Sequence, residues 1–303
     1  MDGLILHAYD ASPFTQKALK MLAIKGVRYG FVETPMIAPK PELEVFTGGY
    51  RGTPVLQDGA DIYVDNVRIA AALDAYAADP PLTGDAVDDA AAVLWGEQFF
   101  EAGLHMAIDA FSEDWEPAFT KDRKAVFARL DFETVREKSD QARALLRVHA
   151  TRVDRQLSDG RAFLRGKAVS MTDLHAWAVF WFARAAFPES GKLLGDLMWL
   201  PEWEARVAVH GEGTRQHSDA DAAQNLARAC EPTAPLSIDT EDPLGLHGGQ
   251  AVTVAPTFSD RGTSHGTLAG LDAEQIVIAV TNDTVGTVHV HFPRLGYRVE
   301  RAT

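Results

Sequence analysis

The sequence predicts three successive parts: a small mixed α/β domain (1–80), an all-helical bundle domain (87–230) and a small all-β, barrel-like domain (244–303). The first part alternates β-prone runs with helical periodicity, in the order β-α-β-α-β-β-α. The second carries apolar stripes at helical spacing, and the third carries five short alternating runs separated by turn residues. A proline-containing linker, 231–243, separates the last two parts.

The first domain opens with a β-prone run, Leu4–Tyr9, which Asp10–Pro13 interrupts. Ser12 and Pro13 are suited to start a helix, because serine caps free amides and proline at the first position gives up only an unpaired donor. Apolar residues at helical spacing follow, and a second extended run then covers Val27–Val32. The segment therefore predicts a β-α-β unit.

Three later segments complete the mixed sheet and its helices. A short helix is predicted over Glu42–Thr47, within a proline-rich stretch. Asp58 and Gly59 stand between two short apolar runs, which is the strongest short-range signal for a β-hairpin. Asp65 and Asn66 then begin a helix whose apolar positions share one face.

The second domain is predicted to be a helix bundle. Apolar residues share one helical face at Trp95, Phe99, Ala102 and Met106. Ser170 and Asp173 form a capping-box arrangement at the start of Met171–Ala186, which is apolar nearly all round and is expected at the centre of the bundle. Shorter helices are predicted over Glu202–Val209 and Ala220–Ala229.

The third domain is predicted to be a small barrel or sandwich, because short alternating runs recur about every ten residues between Gly, Asp and Asn turns. The predicted strands are Gly249–Ala255, Gly266–Ala269, Gln275–Thr281, Gly286–Phe292 and Tyr297–Glu300.

Composition excludes several classes of protein. The chain has 303 residues, 46% of them apolar, and a formal charge of −14, which disfavours nucleic acid as a partner. Its only cysteine, Cys230, excludes an internal disulfide and a zinc site built from several thiolates. No apolar stretch approaches ~20 residues, so we expect no membrane partner and a cytoplasmic protein.

Motifs in a fixed order resemble those of the cytosolic glutathione S-transferases, of the Ser type, over about residues 3–210. They are Ser12-Pro13-Phe14 at a strand-to-helix junction, Thr53-Pro54-Val55-Leu56, Asp65-Asn66, and the capping box Ser170–Asp173. The whole chain resembles a bacterial branch of these proteins that carries an extra C-terminal β module. The resemblance implies a thioredoxin-like N-terminal domain followed by an all-helical domain.

The resemblance also implies glutathione as co-substrate and assigns roles to particular residues. Ser12, as the catalytic residue, would stabilise the glutathione thiolate, with Phe14 beside it in the same motif. Thr53 and Pro54 would form a cis-proline segment that leaves the backbone of Val55 to pair with the cysteinyl backbone of the ligand.

The ends of the peptide have their own expected partners. Asp65 would take the γ-glutamyl amine and Asn66, in place of the usual Ser or Thr, its carboxylate. Lys40 would pair with the glycyl carboxylate. Each residue also has a purely structural interpretation: Ser12 and Asn66 as helix caps, and Lys40 as a solvated lysine.

We expect a small electrophilic substrate between the domains, against the helix that carries Trp95, Phe99 and Met106, and a homodimer, as in most relatives. His289 and His291 alternate onto one strand face, but no carboxylate or cysteine motif accompanies them, so no metal is expected. Two other functions remain open. One is a non-catalytic scaffold that uses the β module for interaction, and the other is a different glutathione reaction, such as ether cleavage or isomerisation.

Overall fold

The computed structural model describes residues 3–111, 115–127, 132, 134–135, 137–187 and 189–302. The strands of this part of the chain are β1 (Leu4–Ala8), β2 (Arg28–Glu33), β3 (Val55–Asp58), β4 (Asp61–Val64), β5 (Thr214–His217), β6 (Ala251–Pro256), β7 (Ser264–Leu271), β8 (Gln275–Asn282), β9 (Gly286–Pro293) and β10 (Tyr297–Arg301). The helices are α1 (Pro13–Ile24), α2 (Pro41–Thr47), α3 (Asp65–Tyr76), α4 (Ala86–Phe111), α5 (Pro117–Val126), α6 (Ser139–Leu157), α7 (Met171–Ala186), α8 (Ser190–Leu194), α9 (Leu200–Ala208) and α10 (Ala220–Ala229).

The N-terminal part has the predicted element order. β1 lies between β2, with which it is parallel, and β3, with which it is antiparallel, and β3 continues into β4 through a hairpin. The hairpin turn contains Gly59, whose φ of 60° is readily adopted by glycine. β1 is buried on both faces, because Leu4 and Leu6 pack into the core beneath the helices while Ile5 packs into a second core on the other face.

β5 is a strand that the sequence does not predict. Its four residues are all exposed, and they pair in parallel with β2 at the edge of the sheet. A polar segment of this kind has no alternating apolar pattern, so it lacks the signal that identifies a half-buried strand. It forms because β2 offers an unpaired edge beside it.

The helical part confirms the predicted bundle. α7 spans the predicted residues and begins with the capping box of Ser170 and Asp173. The Asp173 carboxylate, which is fully buried, also accepts hydrogen bonds from Leu164 N–H at 2.7 Å and from Trp203 Nε1 at 2.8 Å. Asp173 therefore joins three segments of the bundle. Its hydrogen bonds offset the cost of burying the carboxylate.

The C-terminal part confirms the five predicted strands, which form an antiparallel sheet module in the order β10-β6-β7-β8-β9. This module does not stand apart from the N-terminal sheet. β9 pairs in parallel with β4, with His289 opposite Asp61, and the described strands thus form one ten-stranded sheet. The division into separate domains at 1–80, 87–230 and 244–303 stays a prediction.

One hydrophobic core holds the module against the N-terminal part. Phe292 and Val290 of the module share this core with Phe46, Val55 and Ile62. Beside it, His291 Nε2 lies 2.9 Å from Asp61 Oδ1, with both side chains buried. The module is thereby placed next to the residues that the sequence assigns to the functional site.

Candidate functional site

Ser12 lies where β1 passes into α1, at the helix N-cap. Its Oγ accepts a hydrogen bond from Thr15 N–H at 3.3 Å, and the residue is 2% exposed. Ser12 therefore caps α1, as its structural interpretation predicts. The contact uses Oγ only as an acceptor, so the hydroxyl proton can still be donated to another group.

Phe14 is half-buried on the first turn of α1 and lies at the junction of three parts of the chain. Its ring centroid is 4.8 Å from that of Phe100 on α4 and 4.8 Å from Lys17 Nζ. The guanidinium carbon of Arg261, from the C-terminal module, lies 5.1 Å from the same centroid. Two cations therefore lie near one aromatic ring close to the N-terminus of α1.

Pro54 follows a cis peptide bond to Thr53, as the resemblance implies. Val55 is the first residue of β3, and it pairs with His7 on one side and with Val64 on the other. Its backbone belongs to the sheet, which differs from the expectation that Val55 is left for a ligand. Thr53 lies just before the strand, so its backbone is the better placed of the two to pair with a peptide.

Asp65 and Asn66 begin α3, as predicted. Asp65 has a φ of 73°, a left-handed conformation that aspartate tolerates better than most residues, and its Oδ1 accepts from Val67 N–H at 3.1 Å. Asn66 is buried, and among the described residues no hydrogen-bond partner reaches its Oδ1. A buried amide oxygen without a protein partner is suited to a donor supplied by a ligand.

Lys40 precedes α2 and is not a solvated lysine, since it is only 4% exposed. Its Nζ lies 5.3 Å from the centroid of the Tyr9 ring. Burial, followed by the charge of Arg123, lowers the pKa of Lys40 to about 8. The side chain also lines a cavity of about 160 Å³, together with His7 and Thr34.

Lys17 is a buried cation of the site that the sequence does not identify. Its Nζ is 3.2 Å from His175 Nδ1 on α7, and burial lowers its pKa to about 8 although Asp65 opposes the change. Burial also holds the pKa of His175 well below its usual value, so the ring is neutral and Nδ1 can accept. A lysine inside a helix carries no pattern that separates it from a surface lysine.

Tyr50 and Tyr297 are two further residues of the site that no sequence motif identifies. Tyr297, on β10, donates to Asp65 Oδ2 at 3.4 Å, and its hydroxyl lies 3.3 Å from that of Tyr50. Both residues are buried. Because 247 positions separate Tyr297 from Tyr50, only the pairing of the module with the N-terminal sheet brings them together.

Of the three residues expected beside a second substrate, Trp95 is half-buried, but the structure corrects the expectation for the other two. Phe99 and Met106 are buried in the core, and Phe99 packs against Phe180 at 4.8 Å between ring centroids. Both are core residues because they lie on the face of α4 that packs on α6 and α7. Phe100 lies beside Phe14, and it also contacts Phe127 and Phe182, both half-buried.

The described residues as a whole offer neither a metal-binding cluster nor a membrane-spanning helix. They contain no group of three or more His, Cys, Asp or Glu side chains placed to hold a metal ion. No helix in this part of the chain combines the length and the apolar composition needed to cross a membrane.

Comparison with known proteins identifies the family. Residues 6–81 match the family model of the glutathione S-transferase N-terminal domain. The structure of a GST-like protein from Pseudomonas syringae is 32% identical, with 100% of each chain covered and a TM-score of 0.80.

More distant solved structures share the fold. A glutathione S-transferase from Rhodospirillum rubrum is 18% identical, with 77% of this chain and 94% of that chain covered and a TM-score of 0.52. Glutathione transferase F7 from Populus trichocarpa is 16% identical, with 70% and 99% covered and a TM-score of 0.50. A search of curated proteins found no match. On the full-length similarity to the Pseudomonas syringae protein, the chain belongs to the glutathione S-transferase family.

Proposed function

We propose that this protein is a glutathione transferase that uses Ser12 to stabilise the glutathione thiolate for attack on a small electrophile. The observation that carries the proposal is the position of Ser12 at the N-terminus of α1, with Oγ as an acceptor and its proton left to donate. Family membership supports a role of this type.

The thiolate is the reactive form, and a free thiol with a pKa of ~8.5 is ionised only to a few per cent near neutral pH. A hydroxyl donor and a helix N-terminus both favour the anion. The sulfur would then attack an electrophilic carbon, so that a C–S bond forms and the leaving group departs with its electron pair. The thiol proton passes to solvent. The protein contributes anion stabilisation and proximity.

The peptide would lie along residues from three elements. Asp65, at the start of α3, would bind the γ-glutamyl amine, Thr53, before the cis-proline, would bind the cysteinyl backbone, and Lys40, before α2, would bind the glycyl carboxylate. The second substrate would meet the sulfur beside Phe14, against the half-buried aromatic rings of Phe100 and Phe182. An apolar electrophile suits such a surface.

The test is the rate of conjugation of glutathione with an aryl chloride, with Ser12→Ala and Ser12→Thr as a matched pair. Removal of the hydroxyl is expected to lower kcat/KM at neutral pH by roughly tenfold to a hundredfold, since a hydrogen bond to a charged group contributes ~1.5–3 kcal/mol. Ser12→Thr retains the hydroxyl and is expected to retain most of the rate. Equal rates for wild type and Ser12→Ala would reduce Ser12 to a helix cap.

A non-catalytic scaffold is the second candidate, and the deep burial of Ser12 is the observation that favours it. Calorimetric titration with glutathione separates the two functions. A catalyst must bind the peptide, whereas a scaffold is expected to show no heat of binding even at millimolar ligand.

We also propose a homodimer, which the resemblance implies. Because β9 already pairs with the edge of β4, a second copy has to dock on other surfaces. Sedimentation velocity is expected to show a species of about twice 33.0 kDa. A single species at the monomer mass would contradict the proposal.

A further inference from the structure

The loop between β6 and β7 brings the C-terminal module directly onto the candidate glutathione site. Arg51 N–H donates to the backbone oxygen of Arg261 at 2.8 Å, and His265 N–H donates to Gly48 O at 2.9 Å. A Cβ on Gly262 would come within 2.2 Å of the backbone oxygen of Gly49. The backbone of the loop is therefore in close contact with the backbone of residues 48–51. This contact fixes the position of the Arg261 backbone, from which its side chain extends.

The Arg261 side chain extends from this loop to the Phe14 ring, within range of a charge interaction with Asp65. Its guanidinium carbon is 5.1 Å from the centroid of the Phe14 ring, and Tyr50 lies within interaction range of the guanidinium. A guanidinium keeps its proton at any ordinary pH, and the negative charge of Asp65 favours the charged form of Arg261 further. Arg261 thus remains a fixed cation in the same site as the Asp65 carboxylate.

A carboxylate beside a guanidinium is complementary to the α-amino acid end of a peptide. That end carries an ammonium and a carboxylate on one carbon, so its site needs an anion and a cation donor close together. Asp65 supplies the anion, and the fork of an arginine matches a carboxylate with two parallel hydrogen bonds. Without Arg261, the ligand carboxylate would have only the uncharged amide of Asn66 as its predicted partner.

We propose that Arg261 binds the α-carboxylate of the γ-glutamyl group of glutathione, while Asp65 binds the neighbouring ammonium. This inference rests on the proposed function, and it makes the C-terminal module a part of the ligand site. Tyr297 would act as a positioning residue, because its hydroxyl contacts the Asp65 carboxylate and the Tyr50 hydroxyl.

The test compares glutathione with γ-aminobutyryl-cysteinyl-glycine, which lacks only the α-carboxylate, by calorimetric titration of the full chain. Wild type is expected to bind glutathione roughly tenfold to a hundredfold more tightly, the range for a hydrogen-bonded charged group. Arg261→Gln is expected to lose that preference by weaker binding of glutathione, with unchanged binding of the shortened peptide. Arg261→Lys retains the charge without the fork and should be intermediate.

Arg298→Gln is the matched control, because Arg298 lies on β10 of the same module and is exposed. It is expected to behave as wild type. Equal affinity of wild type for the two peptides overturns the inference without any variant, so the test does not depend on the folding of Arg261→Gln. Tighter glutathione binding by Arg261→Gln would also overturn it, because Arg261 would then compete with the ligand amine for Asp65.

The same titration separates this inference from the function on which it rests. If wild type binds neither peptide, the proposed glutathione function fails and the role of Arg261 fails with it. If wild type binds both peptides equally well, glutathione binding stands and only the role of Arg261 is overturned.

Discussion

Tyr297, on the last strand of the chain, contacts the Asp65 carboxylate at the start of α3 across 3.4 Å. The two residues are 232 positions apart. They meet because β9 pairs with β4, whose last residue directly precedes Asp65. The C-terminal module therefore supports the site in the N-terminal part through the sheet itself.

Replacement of Gly262 by alanine is expected to displace the loop that carries Arg261. The φ of Gly262 is 84°, and its new Cβ would lie 2.2 Å from the Gly49 backbone oxygen. Gly296→Ala is a matched control, because Gly296 has the same φ of 84° and nothing lies within 4 Å of its Cβ. The left-handed backbone conformation lowers the unfolding free energy of both variants by roughly 1 kcal/mol. The additional loss in Gly262→Ala therefore measures the steric cost of the contact between the new Cβ and the Gly49 backbone oxygen.

The measurement for this pair is urea-induced unfolding together with glutathione titration. Gly262→Ala is expected to lose more unfolding free energy than Gly296→Ala and to bind glutathione more weakly. Equal losses in the two variants, with equal binding, would show that the contact between the loop and Gly49 is unimportant.

His7 is expected to make the protein sensitive to acid. Both amide hydrogens of Gln57 are donated, to Gly59 O and Ala223 O, so its oxygen faces His7 Nε2 at 3.0 Å and the ring is neutral with a proton on Nε2. Burial lowers the pKa of His7 from 6.5 to about 4, against a smaller opposing effect of Gln57. The unfolded chain therefore binds this proton first, and stability falls as the pH decreases from about 6.5 towards 4.

The linked loss from His7 alone is about 3 kcal/mol between pH 7 and pH 4. His7→Gln retains a donor for Gln57 but has no proton to bind. Urea unfolding at several pH values is expected to show a shallower decline for His7→Gln than for wild type. Parallel stability curves over this range would mean that His7 is not the group responsible.

Lys40 is expected to impose a pH dependence on ligand binding. Burial and the charge of Arg123 lower the pKa of Lys40 to about 8, so the charge that would hold the glycyl carboxylate is lost as the pH rises through that value. S-methylglutathione is the suitable ligand because its sulfur does not titrate. Its affinity for wild type should fall between pH 7 and pH 9.

Lys40→Gln is expected to bind S-methylglutathione more weakly at pH 7 and to show a flatter pH profile, measured by calorimetry. Any pH dependence that remains belongs to the ligand amine or to Lys17. Identical profiles for wild type and Lys40→Gln would exclude Lys40 from ligand binding.

Asp122 is expected to fasten α5 onto the N-terminal part. It accepts from Arg51 Nη1 at 2.7 Å and from Ala38 N–H at 3.2 Å, and its side chain is 8% exposed. Asp122→Asn weakens a charge-assisted contact worth roughly 1–3 kcal/mol. Hydrogen exchange of the amides in α5 should therefore accelerate by about tenfold or more.

Asp140→Asn provides the comparison for Asp122, because the Asp140 side chain is 99% exposed where it contacts Arg143. An exposed pair of this kind contributes little. Exchange in α5 should be unchanged in Asp140→Asn. An unchanged α5 in Asp122→Asn as well would mean that other contacts hold the helix.

The sequence predicts those helices and strands whose formation depends on a local pattern of residues. The capping residues Ser170 and Asp173, the turn at Gly59 and the alternating runs of the C-terminal module each act over a few residues, so their pattern appears in the sequence. β5 carries no such pattern, because its polar residues are held only by the edge of β2. It could not be predicted from periodicity.

The residues of the candidate site also fall into two groups: those that a short motif identifies, and those that only the pairing of distant strands brings to the site. Ser12 and Asp65 occupy helix starts, which short motifs identify, and the cis peptide bond before Pro54 follows the resemblance. Arg261 and Tyr297 reach the site only through the pairing of strands far apart in the chain. No local pattern separates these two residues from others on the surface of a β module.

The most direct test of thiolate stabilisation is the pKa of the thiol of glutathione bound to the protein, followed by the ultraviolet absorbance of the thiolate as the pH is raised. With wild type, the bound thiol is expected to ionise about 1–2 pH units below the free thiol at ~8.5. With Ser12→Ala, its titration is expected to move back towards the free value. A bound thiol that titrates in wild type as it does in free solution would contradict stabilisation of the anion by Ser12.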